Sequence, residues 1–422
     1  MSFYDDASLV VIPSAQKTSK LYAVKPTDGS GDLTFTRTGD TATRVNSAGL
    51  IVPVLANVPR LDYLGSTCPR LILEPQRVNL ALFSESFDNA AWTKSNATIS
   101  ANAATSPDGY TNADKLIPSN GASLSSISNY ALQSITKAAS AIQYTYSTFV
   151  KQDGLNRVNI VAQGASIVNN ASAIFSLVNG SITTAAAAAG TFTGASASVT
   201  DYGNGWYRCA LVFTTNTDTD LIIRNIPTDS TLTTGNGTNG ILIYGAQLEA
   251  SAAYATSYIP TLAAAVTRGV DLAQKTSASA LIGQTEGTIF WEFEFTTSVA
   301  TNNECLLNVD NGSFNNTIYF YKTPAGAIAA EMYNGGVVQA SFSISSQPAG
   351  TYKAAFGYAN NNTAFFVNGV QVGTTDTSCS VPATSRIQLG NTALGPSTDK
   401  TAQVLLFPTR LTNAELAELT TL

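Results

Sequence analysis

Along most of the chain apolar and polar residues alternate with a period of two, the mark of strands that bury one face. In "GWYRCALVF" Tyr207, Cys209, Leu211 and Phe213 share a face and Arg208 points the other way. In "GTIFWEFEF" Ile289, Trp291, Phe293 and Phe295 fall on one side, with Glu292 and Glu294 on the other. "GTYKAAFGY" repeats the pattern with Tyr352, Ala354, Phe356 and Tyr358. "GILIYGAQLE" reads as another half-buried strand, with Ala246 and Leu248 set against Gln247 and Glu249. Asn179-Gly180 and Asn368-Gly369 sit between apolar-rich runs and predict hairpins.

The pattern changes elsewhere. Residues 1–80 read as extended and irregular, with short strand signals around Gly39 and with Pro59, Pro69 and Pro75 blocking helices. Residues 271–282 are small and polar enough for a linker. In "RLTNAELAELTTL" Thr412 and Glu415 form a capping box and Leu411 can staple onto Leu416, so one short helix is expected at the end. The fold expected is all-β: an extended N-terminal docking region at 1–80, then two jelly-roll-like β-sandwiches at 81–270 and 271–422, closed by that helix.

Composition narrows the chemistry. A chain of 422 residues suits two or three domains, each with its own core. It contains no histidine, which excludes Ser-His-Asp, Cys-His and zinc-histidine sites and leaves only carboxylate-pair catalysis within reach. A net charge of −6 without a basic cluster argues against nucleic acid and anionic membranes. The start "MSFYDDASLVVIPSAQ" lacks the basic end and apolar core of a signal peptide, and no segment has membrane-spanning length, so a soluble protein made in a cytoplasm is expected. Cys68, Cys209, Cys305 and Cys379 show no metal-type spacing; reduced thiols are expected, with Cys305 to Cys379 the one bridge worth testing.

Three groups of strings carry a resemblance. "GAQLE", "ATSYIPT" and "VTRGVD" in succession resemble wording at the end of a carbohydrate-binding-module-like β-sandwich in head-fibre, tail-fibre and tailspike proteins of tailed bacteriophages. "TFTRTGDTATRVNSAGLI", "NVPRLDY", "CPRLILEPQRVNL" and "FSESFDNAAWTK" resemble the segment that precedes it, and "LLFPTRLTNAELAELTTL" resembles the end of a concanavalin A-like, laminin-G-type domain. The resemblance implies a structural protein of a phage virion, made in the bacterial cytoplasm and displayed on the particle. It implies a homotrimer that docks to other virion proteins through its N-terminal region and adheres to host or mucosal glycans. An architectural decoration without sugar binding and a glycan depolymerase are the alternatives. On the residues themselves, "GAQLE…SYIPT…VTRGVD" reads as structural punctuation, with Thr267, Arg268 and Asp271 clamping the exit chain.

Sugar recognition needs aromatic faces and planar polar groups. Trp206, out of phase with the apolar face of its strand, is the expected exposed ring; Tyr319, Tyr321, Tyr333 and Asn334 are the other glycan-contact candidates, and Trp92 is set against core packing. No cofactor is expected. Calcium is the one ion considered, with Asp310, Asn311 and Asn315 or Asp218 and Asp220 as ligands, although polar turns explain both stretches. Glu74, Glu85, Glu292, Glu294 and Glu331 are the available carboxylates, and no pair of them stands out as catalytic, so no enzymatic activity is expected.

Overall fold

A computed structural model describes residues 2–125, 127–296, 303–390 and 399–421. The chain divides into two compact units: Met1–Asp40, Val54–Gln76 and Gly269–Leu422 form the first, and Thr41–Pro53 with Arg77–Arg268 form the second. Each is a β-sandwich.

In the first unit an eight-stranded sheet is centred on Glu286–Phe295, Gly350–Ala359 and Lys400–Phe407. It faces a nine-stranded sheet that includes Leu33–Thr36, Leu272–Lys275, Arg386–Leu389, Glu304–Asp310, Thr317–Lys322, Ile328–Asn334 and Val337–Ile344 in that order. Ile289, Trp291, Phe293, Phe295, Tyr352, Phe356 and Tyr358 fill the core between them, as their alternation requires. Phe290, Ala355, Phe366 and Leu405 form a second apolar layer on the opposite face of the eight-stranded sheet, with Leu411, Leu416 and Leu419. The closing helix, Asn413–Leu419, begins with the expected capping box of Thr412 and Glu415. Asn368 and Gly369 both have positive φ, 47° and 80°, which the tight hairpin turn demands.

The N-terminal expectation is corrected. Residues 1–80 are not a separate extended region. Leu9–Val11 pairs with Lys400–Phe407, Leu33–Thr36 pairs with Leu272–Lys275, and Arg70–Ile72 pairs with both Arg60–Asp62 and Lys400–Phe407. The expected linker at 271–282 is also absent: Leu272–Lys275 lies inside the nine-stranded sheet, and Ala278 and Ile282 are in the core. Its polarity has another cause. Asp271 is fully buried between Arg37, at 3.1 Å, and Arg60, which also meets Glu74 at 2.8 Å. The Glu74 backbone N–H donates to Asp271 at 3.0 Å. Four of the strings that carry the resemblance thus each supply one member of a single buried ionic cluster.

The second unit has two six-stranded sheets. One runs Thr93–Ser95, Tyr130–Thr136, Asp220–Thr228, Arg157–Gln163, Asn170–Ser176, Ile182–Ala189; the other runs Ala97–Thr105, Thr111–Pro118, Gly240–Ala250, Gln143–Asp153, Trp206–Thr214, Thr193–Asp201. Phe87, Trp92, Tyr144, Tyr146, Phe175, Cys209, Phe213 and Leu248 lie in its core, and the Trp92 indole N–H reaches the carbonyls of Leu82 and Phe83.

The string "GAQLEASAAYATSYIPT" is explained by its own return path. Gln247 and Glu249 do not face water; both are fully buried. The Ile259 N–H donates to Gln247 at 2.7 Å and the Thr256 N–H to Glu249 at 3.0 Å, so the chain after the strand folds back over its outer face. Arg268 ties the same segment through Thr256 and Ser257 at 3.0 Å each. Asp271, expected in this clamp, instead joins the Arg37–Arg60 cluster. Gly245 has φ of +62°, and a Cβ there would stand 2.8 Å from the Phe149 ring, which is why the string needs glycine.

Candidate functional site

The strand Thr317–Lys322 sends Ile318 and Phe320 into the core, so Tyr319 and Tyr321 emerge on the opposite face of the nine-stranded sheet. On the next strand Ile328, Ala330 and Met332 point inward, leaving Glu331 and Tyr333 beside those tyrosines. Register places Tyr319 opposite Glu331 and Glu331 opposite Ser341. The phenols converge on one carboxylate: Tyr319 donates to Glu331 Oε2 at 2.5 Å, Tyr333 to Oε2 at 3.1 Å and Tyr321 to Oε1 at 2.9 Å, and the Ser341 hydroxyl adds 3.2 Å to Oε1. The Tyr319 and Tyr321 rings stack at 5.1 Å, and Phe314 meets Tyr319 edge-on at 5.8 Å.

These contacts use the lone-pair capacity of the carboxylate. What the platform offers outward is ring edges and the free lone pairs of phenol oxygens, which accept hydrogen bonds. Burial first, and Glu331 second, push the Tyr319 and Tyr321 hydroxyls well above the ordinary phenol range, and Tyr333 moves the same way. All three therefore remain donors to Glu331 at ordinary pH. Tyr319 and Tyr321 are 7% and 8% exposed, while Tyr333 and Glu331 are half-buried and Ser341 is exposed, so Tyr333 is the accessible ring of the set.

Tyr319, Glu331 and Ser341 end a longer polar row. Across the sheet, Thr34, Gln274, Gln388, Asn308, Tyr319, Glu331 and Ser341 are successive cross-strand neighbours. Such pairs lie about 5 Å apart, so amides, a phenol and a carboxylate follow one another in a line. Asn308 and Gln388 within it are buried.

Among the sequence candidates the structure unites Tyr319, Tyr321 and Tyr333. Asn334 ends the same strand, but its amide is engaged with Ser380 at 2.9 Å. Trp206 is a correction: it belongs to the second unit and is 2% exposed, with its indole N–H on the Thr105 carbonyl at 3.1 Å. Its phase did place it off the core face, but that face is not open, because Arg208, two residues on, is itself buried and bonded to the Thr256 carbonyl. Sequence reasoning missed Glu331 as the hub. The signal was present in "AIAAEMYN", where Glu331 and Tyr333 share a phase two residues apart.

Asp310 and Asn311, proposed as calcium ligands, are otherwise engaged. Asp310 takes a two-pronged contact from Arg386, both at 2.8 Å, and Asn311 caps a local turn at Ser313. Near Asp218 the Lys137 ammonium fills a cradle of three carbonyls, Ala138, Ser140 and Asn216, at 2.8–3.0 Å, and Asp220 is exposed. No group of three or more His, Cys, Asp or Glu residues suited to a metal occurs among the described residues. All four cysteines are free thiols, with Cys305 beside Tyr321 and Cys379 against Thr363.

One pair of carboxylates does approach. The Tyr244 hydroxyl lies 2.9 Å from both Glu85 and Asp108 in the second unit, and Tyr258 adds a contact to Glu85 at 3.1 Å. The phenol occupies the space that a sugar would need between catalytic acids. Burial raises the Glu85 pKa against the lowering effect of its hydrogen bonds from Tyr244 and Tyr258.

No protein-family model matches the sequence, and no curated protein does. Among solved structures the chain is similar to the CBM40 domain of the Ruminococcus gnavus IT-sialidase bound to α2,3-sialyllactose, at 21% identity over 34% of this chain and 87% of that one, with a TM-score of 0.29. It is also similar to the Streptococcus pneumoniae NanB sialidase, at 16% identity over 35% of this chain and 26% of that one, TM-score 0.28. A Limulus polyphemus SAP-like pentraxin matches at 12% identity over 32% of this chain and 69% of that one, TM-score 0.24. Each of these likenesses spans about a third of the chain.

Proposed function

We propose that this chain is a non-catalytic surface protein that holds glycans through the phenol platform of its first unit. The observation that carries this reading is the convergence of Tyr319, Tyr321 and Tyr333 on Glu331, at 2.5–3.1 Å, on a sheet face turned away from the core. Hydrogen bonds to the carboxylate fix the rings, so little side-chain freedom remains to be lost when a sugar ring lies against them. The phenol oxygens accept sugar hydroxyls, and the exposed flank of Tyr333 takes the C–H face.

The resemblance of "TFTRTGD", "NVPRLDY", "GAQLE" and "VTRGVD" to virion wording supports a place on a tailed-phage particle, as a fibre or appendage. A homotrimer suits that setting, because several weak sugar contacts on one particle reinforce one another. Attachment through the N-terminal residues is part of the same reading; Tyr4 and Val24 there are 45% and 48% exposed.

The experiment is a glycan-array screen of the full chain, with its mass in solution measured alongside. Selective binding supports the reading. A protein that binds no glycan is an architectural decoration, and release of cleaved sugar makes it a depolymerase.

A further inference from the structure

The second unit carries an arginine without the hydrogen-bond partners that burial demands. On Asp220–Thr228, Leu221 and Ile223 enter the core and Asn225 bonds the core residue Tyr146. Arg224 therefore lies on the opposite sheet face, yet it is only 8% exposed. Its guanidinium rests 4.8 Å from the centre of the Tyr130 ring. Among the described residues the buried Nε has no hydrogen-bond partner, and neither has the buried Oδ1 of Asn159. An unpaired guanidinium in such a position is costly, because desolvation is repaid only by a partner of opposite charge. Burial correspondingly depresses the Arg224 pKa.

Register gathers the neighbours. Thr93, Leu132, Arg224, Val161 and Ser172 form one row across the sheet. Asn159 pairs with Ile226, one step diagonally from Arg224. Arg157, two residues further along the same face, adds a second cation, while exposed Asp220 at the far end is the acid of that strand. Tyr130, Leu132 and Ile174 are half-buried around them. A ring-stacked guanidinium with free terminal N–H groups, beside a free amide oxygen and an apolar rim, fits a carboxylate carried on a sugar ring. The carboxylate takes the guanidinium, a ring hydroxyl donates to Asn159, and the C–H face meets Leu132 and Ile174.

We propose that Arg224, Tyr130 and Asn159 form a second binding site, specific for an acidic sugar such as a uronic or sialic acid. It is independent of the Tyr319–Glu331 platform.

The test is titration of the full chain with glucuronic acid and N-acetylneuraminic acid, against glucose and acetate, for the wild type, Arg224→Gln and Tyr333→Ala. The site predicts binding of an acidic sugar that weakens at least tenfold in Arg224→Gln, weakens with salt, is absent for glucose and persists in Tyr333→Ala. It also predicts that Arg224→Gln leaves the melting temperature unchanged or raises it. Equal binding of glucose in Tyr333→Ala, equal competition by acetate, or no binding of either acidic sugar overturns the proposal. So does an Arg224→Gln protein that melts lower and binds as before, since Arg224 would then be a packing residue. Loss of binding in Tyr333→Ala with Arg224→Gln unaffected would place the acidic sugar on the phenol platform and overturn the second site alone.

Discussion

Asp271 and Arg37 are 234 residues apart in sequence and meet at 3.1 Å with both side chains wholly buried. Arg60 and Glu74 complete the cluster. Removing one partner of such a group leaves a buried charge uncompensated, at about 3–5 kcal/mol. Asp271→Asn should therefore destabilise the first unit by that amount in denaturant unfolding, with hydrogen exchange quickening in Leu272–Lys275. A loss below 1 kcal/mol would mean that the bonds of Arg37 to the Val54, Leu55 and Val58 carbonyls suffice to hold it.

A truncated chain beginning at Asn79 tests the same cluster. It lacks Arg37, Arg60 and Glu74 and the strands Leu9–Val11, Leu33–Thr36 and Arg70–Ile72. The first unit should lose protection from hydrogen exchange, while the two six-stranded sheets of the second unit, which loses only Thr41–Pro53 and residues 77–78, keep theirs. A fully protected first unit would restore residues 1–80 as a dispensable docking segment.

Glu85 gives a pH signature. A carboxyl whose folded-state pKa exceeds its unfolded value holds its proton more tightly when folded. Its contribution to stability is complete below the unfolded pKa, about 4.3, and is lost as pH rises through the folded pKa. Glu85→Gln, which keeps a neutral polar group there, should raise the melting temperature at pH 7 and give no gain near pH 4. A lower melting temperature at pH 7 would show that Glu85 is ionised and stabilised by Tyr244 and Tyr258.

Trp206 and Thr412 are structural residues with modest, separable effects. Trp206→Phe removes one hydrogen bond to Thr105 and should cost about 1 kcal/mol without changing glycan binding. Thr412→Ala removes the side-chain half of the capping box and leaves the backbone N–H donating to Glu415; it should cost about 1 kcal/mol, read as faster exchange in Asn413–Leu419.

The strands, the hairpin at Asn368-Gly369 and the closing helix were legible because each depends on local alternation or capping. Long-range use of polar residues was not. Gln247 and Glu249 alternate with Ala246 and Leu248 like a solvent face, yet are buried under the chain returning through Thr256 and Ile259. Likewise, the charged and proline-rich N-terminal stretch reads as extended because two of its arginines, Arg37 and Arg60, find a buried partner in Asp271, far along the chain. At the site, Tyr319, Tyr321 and Tyr333 could be nominated by type; their shared carboxylate depends on the register of three strands, which pattern alone does not set.

The central claim is that the phenol platform holds glycan. The most direct measurement is titration of the best neutral array ligand into the wild type and into Tyr333→Ala, with unfolding followed in parallel. The account predicts at least a tenfold loss of affinity in the variant at unchanged stability. Equal affinity in the two proteins would contradict it and leave the Tyr319–Glu331 cluster as a structural support within the sheet.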